Sequence, residues 1–369
     1  MNSHQLKIED LPTIDLSKYI GMDDSSSEVQ AMCKQVAESF HKYGILIIKD
    51  PRAQQKDNSD YIDLMEKYFE SRGEMLEAGQ ILADEKPEYH YQVGVCPKHN
   101  EIAKKHTAKI RSYGPDHKPI SPEEPIHDAK WRFMWKIGER PAEALDNFPQ
   151  VVPADFPGWE GKMNKWGHKL IDAVLVVAEM AAIGMGVDKS TFSRHMDGGA
   201  HLLAPTGSDL LKNDVGAIFA GFHYDIAFLT IHGKSRFPGL YVWSRDNQKM
   251  QVKVPEGCLI LQSGKTFEHI TGGYVHAGFH EVVYTEGTKT AMEKAVAEDR
   301  STWRVSSTLF SHFRNNVNCS PLEELRHLYS PEDAKQYPVM TAFDILMTEL
   351  EATNMVRADK PTEDVLADY

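Results

Sequence analysis

Apolar residues recur along this chain with two different periods. Val29, Met32, Cys33, Val36, Ala37 and Phe40 fall on one helical face, and that spacing predicts an amphipathic helix ended by Gly44. ILIIKD (45–50) reads as a short apolar strand. Tyr61, Met65, Tyr68 and Phe69 then define a second helical stripe, with Asp57, Asn58 or Ser59 as its N-cap. A longer stripe through Met163, Trp166, Leu170, Val174, Val177 and Ala181 predicts a bracing helix over roughly 158–185. From 189 to 315 the period shortens. The runs AIFAGFHYDIAFLTIH, GLYVW, MQVKVP, CLILQSG, GYVHAGFHEVVYT and WRVSSTLFSHF alternate with turn residues, the texture of an antiparallel β-sandwich or barrel. TAFDILMTELEATNMV reads as a further helix. The pattern divides the chain into an α/β region (1–150), the bracing helix (151–188), a β core (189–315) and a helical segment with an acidic tail (316–369).

Charge narrows the function classes. Among 369 residues, 41 Lys and Arg face 54 Asp and Glu, a net charge of −13, which repels phosphate backbones and anionic lipid. Neither a nucleic-acid nor a membrane partner is expected. Cys33, Cys96, Cys258 and Cys319 are scattered without a C-x-x-C pair, which argues against a disulfide framework or a cysteine zinc site. Residues 1–10 (MNSHQLKIED) hold no apolar signal core, and Ala173–Val187 is too short to span a bilayer and carries Glu179. A cytoplasmic, soluble protein is the expectation. Between 85 and 150 the texture turns to Pro, Gly, Lys and His, including Lys98, His99, Lys104, Lys105, His106, Lys109 and Arg111, a basic stretch in an acidic chain.

Candidate chemistry gathers in the β core. His223 and Asp225, in GFHYDIAFLT, lie two apart in a predicted strand, so both side chains share a face. Alone, such a pair is as readily a structural hydrogen bond. A second imidazole would complete a two-His, one-carboxylate face, which leaves iron positions open to ligands. His276 and His280 both qualify by spacing. His280 opens the apolar run Val282–Val283, whereas His276 lies nearer the Gly272–Gly273 turn and reads as a pocket or rim residue. In WRVS, Arg304 and Ser306 share a face, and an inward Arg is costly unless it meets a carboxylate. A bidentate pairing with a ligand's carboxylate removes that cost.

In these elements the sequence resembles the Fe(II)/2-oxoglutarate-dependent oxygenases of the isopenicillin N synthase-like family. LPTIDLSKYI, a helix and YGILIIKD look like that family's N-terminal region. GFHYDIAFLTIH resembles its H-x-D strand, GLYVW through GFHEVV its following strands, and WRVSSTLF its R-x-S motif. The resemblance implies a mainly β fold with flanking helices around a double-stranded β-helix (jelly-roll, cupin-like) core. It implies Fe(II) on His223, Asp225 and His280, with 2-oxoglutarate as cosubstrate and its distal carboxylate on Arg304 and Ser306. O₂ then oxidises an unactivated C–H bond while succinate and CO₂ are released. Hydroxylation is the default outcome, with ring closure or desaturation of an amino-acid-like substrate as the alternative.

Two departures stand out. Ala204, in HLLAPTG, occupies the place of the family's N-x-Y-P tyrosine, and Lys265 stands where an acidic residue is common. The segment TEGTKTAMEKAVAEDRST reads as an exposed excursion inert for catalysis. The 88–135 stretch falls where the family places a substrate-covering loop. Its Tyr91, Arg111 and Arg132, with His276, are candidate substrate contacts, and its positive charge points to a small carboxylated metabolite. Rival readings are an iron oxidase of the same fold that does not use 2-oxoglutarate, a zinc hydrolase on the same ligands, and a metal-free β-sandwich binding module.

Overall fold

A computed structural model describes residues 11–140 and 148–352 of the chain; residues 1–10 and the acidic tail lie outside the described residues. Strand β1 (Thr13–Asp15) is followed by α1 (Ser27–Tyr43), β2 (Ile45–Lys49), α2 (Gln55–Glu77), β3 (Gly94–Cys96), α3 (Thr107–Ser112), β4 (Trp131–Lys136) and α4 (Trp159–Gly184). The short α5 (Ser190–Ser193) leads into β5 (Leu202–Leu203), β6 (Thr206–Asp209), β7 (Ile218–His223), β8 (Leu229–Gly233), β9 (Leu240–Trp243), β10 (Lys249–Gln251) and β11 (Leu259–Ser263). After α6 (Lys265–Ile270) come β12 (His280–Val283), α7 (Glu286–Ala297), β13 (Trp303–Ser306), β14 (Leu309–Ser311), α8 (Pro331–Ala334) and α9 (Ala342–Ala352).

Local chemistry sets the helix ends. The Ser26 hydroxyl accepts from Val29 N at 3.3 Å at the start of α1, and Gly44 closes it at φ 66°, a conformation glycine adopts without Cβ strain. For α2 the cap lies earlier than predicted. The helix starts at Gln55, and Asp57 sits inside its first turn, where its carboxylate accepts from Gln54 N at 3.1 Å. Helix α4 buries its apolar stripe against α1, α2 and the sheet. Gly184 permits the closest approach, since a Cβ there would lie 2.0 Å from the Cys33 carbonyl oxygen.

The strands form a double-stranded β-helix of two sheets. The larger runs β1-β2-β11-β8-β14-β5-β4-β6-β13, with β3 beside β4, and the smaller runs β10-β9-β12-β7. Among the described strands, only the β1–β2 pair is parallel. Strands from the N-terminal region complete the larger sheet: β2 pairs with β11, and β4 lies between β5 and β6.

Two sequence expectations are corrected here and a third is filled in. The run AIFAGFHYDIAFLTIH is two strands, β7 and β8, broken at 224–228, so Asp225 lies in a loop and not in a strand. GYVHAGFHEVVYT is strand only from His280, which puts His276 outside the sheet. The 285–302 excursion contains a regular helix, α7, which Thr285 caps by accepting from Thr288 N at 3.2 Å and whose Ala295 is fully buried.

Candidate metal centre and its cavities

Strand register creates the centre. His223 ends β7, His280 opens β12, and the two are directly opposite in the antiparallel pairing, so their imidazoles project from one face with ring centroids 4.2 Å apart. Asp225 arrives by a different route. The chain bends out of β7, the Asp225 carbonyl accepts from Lys265 N at 2.7 Å, and the Thr230 hydroxyl donates to Asp225 Oδ2 at 2.6 Å. Gly264 permits this bend, since a Cβ there would meet the Ala227 carbonyl oxygen at 1.9 Å. Asp225 Oδ1 then stands 3.6 Å from His223 Nε2 and 3.8 Å from His280 Nε2, and the ligating atoms of the three residues all lie within 4.8 Å of one another.

Both imidazoles are held by their other nitrogen. His223 Nδ1 is 2.5 Å from the Gly221 carbonyl and His280 Nδ1 is 3.0 Å from that of Gly278. Donation from Nδ1–H to these carbonyls leaves the Nε2 lone pairs aimed at the common point, the tautomer a metal ligand needs. Burial, then the neighbouring His280, lowers the pKa of His223, which keeps its imidazole neutral. Burial raises the Asp225 carboxyl, but His280, His223 and the Thr230 hydroxyl outweigh it and the net shift is downward. Two neutral imidazoles and one carboxylate on one side of a point suit Fe(II) and leave the other side to exchangeable ligands.

A cavity of about 400 Å³ runs from this centre to Arg304 and Ser306 on β13. Register again explains the convergence, because Arg304 lies opposite Ser208 and Ser306 opposite Thr206 on β6, and all four line the cavity. Arg304 is 6% exposed. Its Nε donates to the Pro238 carbonyl at 3.0 Å, no carboxylate among the described residues pairs with it, and burial pushes its pKa down to about 10. Ser208 is 3% exposed and its hydroxyl has no hydrogen-bond partner among the described residues. The Ser306 hydroxyl shares a bond with Thr308 at 3.1 Å. His232 lines the same cavity, kept neutral by burial at about 4, with Nδ1 on the Gly233 carbonyl at 3.0 Å.

A second chamber of about 160 Å³ shares His223, Asp225, Lys130, Arg132 and Phe310 with the first, so it opens on the same centre. Here the structure separates the candidate substrate residues. Arg132 lines both spaces and pairs with Glu101 at 2.8 Å. Tyr91 lines neither and donates to Glu85 at 3.1 Å. Arg111 is an exposed partner of Glu123 at 2.7 Å, and His276 lines a different cavity. Tyr224, between two of the candidate ligands, forms part of the chamber wall and donates to Glu349 of α9 at 3.1 Å. Trp131 and Trp135 are core.

Sequence reading missed a buried ion network beside His223. Lys130 contacts Asp128 and lies 2.8 Å from Glu101, and Asp128 accepts from Gly221 N at 2.9 Å. The signal was present: Asp128, Lys130 and Arg132 alternate with Ala129, Trp131 and Phe133, a charged side that leads into the apolar strand β4.

Residues 209–313 match the sequence profile of the 2OG-Fe(II) oxygenase superfamily. No curated protein sequence matches closely enough to carry an argument. Among solved structures, a full-length Neurospora crassa protein in complex with alpha-KG is similar at TM-score 0.71 and 21% identity, over 96% of this chain and 98% of that one; a further complex of the same protein contains thymine. A 2OG-Fe(II) oxygenase family protein from Caulobacter crescentus is similar at TM-score 0.67 and 20% identity, over 92% and 98%. JOX2 in complex with 2OG, Fe and JA follows at TM-score 0.64 and 13% identity, over 97% and 88%.

Proposed function

We propose that the chain, whose residues 209–313 match the profile of the 2OG-Fe(II) oxygenase superfamily, belongs to that superfamily, with His223, Asp225 and His280 holding Fe(II) and Arg304, Ser306 and Ser208 holding the distal carboxylate of 2-oxoglutarate. Bound together with O₂, these groups supply oxidative decarboxylation to succinate and CO₂ coupled to oxidation of a substrate C–H bond, with hydroxylation as the outcome proposed here. The protein's own contribution is geometric and electrostatic. Paired strands fix the two imidazoles, a Thr-anchored loop fixes the carboxylate, and β13 with β6 presents one guanidinium and several hydroxyls at the far end of the cavity. The Ser208 and Thr206 hydroxyls supply, from β6, hydrogen bonding that Ala204 cannot.

One observation carries this reading. Arg304 is a buried cation with no carboxylate partner among the described residues, facing a cavity whose other end is the two-His, one-Asp face. A dicarboxylate that chelates the metal with one end and meets the guanidinium with the other satisfies both.

The substrate proposal changes with the structure. A carboxylated metabolite was expected from the basic 88–135 stretch, yet the cations lining the chamber are spent. Lys104 pairs with Glu349 at 2.8 Å, and Lys130 and Arg132 share Glu101 and Asp128. A chamber with balanced charge favours a small polar molecule without net charge over an anion.

Anaerobic reconstitution with Fe(II) and 2-oxoglutarate tests the cofactor assignment. The visible charge-transfer band of the chelate is expected in the wild type, and Arg304→Ala should weaken 2-oxoglutarate binding by about 30-fold or more. Absence of the band in wild-type protein overturns the assignment. A succinate-release screen with thymine among neutral heterocycles, set against matched carboxylates, tests the substrate class.

A further inference from the structure

One cation of the basic stretch, Lys109, lines neither the chamber nor the cosubstrate cavity but a third space. Beyond the wall made by Tyr224, His106 and Phe279 lies a separate cavity of about 250 Å³, below the roughly 300–1,000 Å³ of drug-sized ligand sites. Lys109, Arg245 and Lys265 line it, with Glu268 as the one lining carboxylate among the described residues. Glu268 is fully engaged: it takes Lys265 at 2.8 Å, Ala277 N at 2.8 Å and the Tyr337 hydroxyl at 3.2 Å. Its charge cancels that of Lys265, and Lys109 and Arg245 remain.

Neither remaining cation has a carboxylate within 4.0 Å among the described residues. Lys109 Nζ donates to Asn247 Oδ1 at 2.9 Å and lies over the rings of Tyr113 and Phe279 at 5.3 and 5.8 Å. Burial lowers its pKa and outweighs the opposing pull of the Glu268 charge, which forms no ion pair with it. Arg245, at the mouth, donates to the Tyr274 carbonyl at 2.8 Å. Asp333 feels the Arg245 charge but does not line the cavity and bonds Ser330. Elsewhere in this chain of net charge −13, comparable cations of the same stretch are paired with acids, as in Lys105–Glu124 and Arg111–Glu123. The remaining walls are aromatic, chiefly Tyr113, Trp243, Tyr224 and Phe279, which favour a flat apolar body.

We propose that this cavity is a binding site for a small aryl monocarboxylate, separate from the metal centre and the cosubstrate cavity, with Lys109 and Arg245 receiving the carboxylate and the aromatic walls receiving the ring. An anion here supplies the charge-assisted bonds that both cations lack. The site does not depend on the iron and 2-oxoglutarate reading. It shares only Tyr224 with the substrate chamber, so its occupant leans on the residue between two of the candidate metal ligands.

The test is calorimetric titration of the full chain with benzoate, benzyl alcohol and inorganic phosphate, each with and without saturating 2-oxoglutarate. Saturable benzoate binding that 2-oxoglutarate does not displace is expected, with benzyl alcohol and phosphate each weaker by about tenfold or more. Lys109→Met and Arg245→Met should each weaken benzoate by about tenfold, and Lys109→Arg should keep it within about threefold, while 2-oxoglutarate affinity is unchanged in all three. The proposal is overturned if benzoate fails to bind, if 2-oxoglutarate displaces it, if phosphate or benzyl alcohol binds equally, or if both Met variants bind as the wild type does. Loss of 2-oxoglutarate binding with benzoate retained would count against the cofactor reading alone.

Discussion

Thr230 and Ser208 carry no charge, and each stands beside a group proposed to hold a ligand, Asp225 for the one and Arg304 for the other. The Thr230 hydroxyl donates to Asp225 Oδ2 and leaves Oδ1 facing the two imidazoles. Thr230→Val keeps the shape and removes that bond, so Mn(II) or Fe(II) affinity should fall by about tenfold, read by equilibrium dialysis; unchanged affinity would remove Thr230 from the centre. Ser208 lies directly opposite Arg304, buried, its hydroxyl open to the cavity. Ser208→Ala should raise the KM for 2-oxoglutarate by about fivefold, the worth of one hydrogen bond, with kcat preserved. A fall in kcat with KM unchanged would point to a structural role instead. The two-residue spacing of Arg304 and Ser306 was legible because both lie in β13 and share its face, whereas the same spacing of His223 and Asp225 only brought the pair to notice, since Asp225 reaches the centre from a loop. Thr230 and Ser208 were not legible, because a serine or threonine in a strand looks the same whether it meets solvent, backbone or a ligand.

At the scale of elements, the close crossing of α1 and α4 stiffens the floor beneath the sheet. Gly184 is the contact point, with the Cys33 carbonyl where its Cβ would be. Gly184→Val should force the helices apart and cost about 2 kcal/mol or more in urea unfolding, whereas Gly161→Ala on the same helix, where nothing lies within 4 Å of a Cβ, should be neutral or stabilising. The stripe of α4 was readable because helical period and burial coincide. The position of β4 within the larger sheet was not, since WRFMWK fixes only that a strand exists, and its neighbours β5 and β6 are chosen by partners about 70 residues away. The 286–297 segment was read only as exposed, and its helix went unassigned for a related reason. Its polar Thr, Lys and Glu residues resemble loop composition, and only Thr288 and Ala295 are buried.

The whole molecule is acidic, and its buried charges make acid stability a test of the network beside His223. Burial raises the Glu101 carboxyl, but Arg132 and Lys130 outweigh it and hold it at about 2, below the ordinary 4.5. A carboxyl depressed in this way contributes stability in full above pH 4.5 and loses it as the pH falls toward 2. Glu101→Gln should therefore cost about 3 kcal/mol at neutral pH, with more than half of that difference gone by about pH 3. Urea unfolding at both pH values would show it, and a pH-independent difference would refute the linkage. By itself, the sequence determined which candidate residues occur and in what order, and strand period determined that Arg304 and Ser306 share a face. It did not determine that His280 lies opposite His223, that a loop delivers Asp225, or that Lys104, Lys130 and Arg132 are paired with acids at the chamber while Lys109 joins the distant Arg245 at another cavity. Those facts depend on register and on charges brought together from distant segments, which only the folded chain specifies.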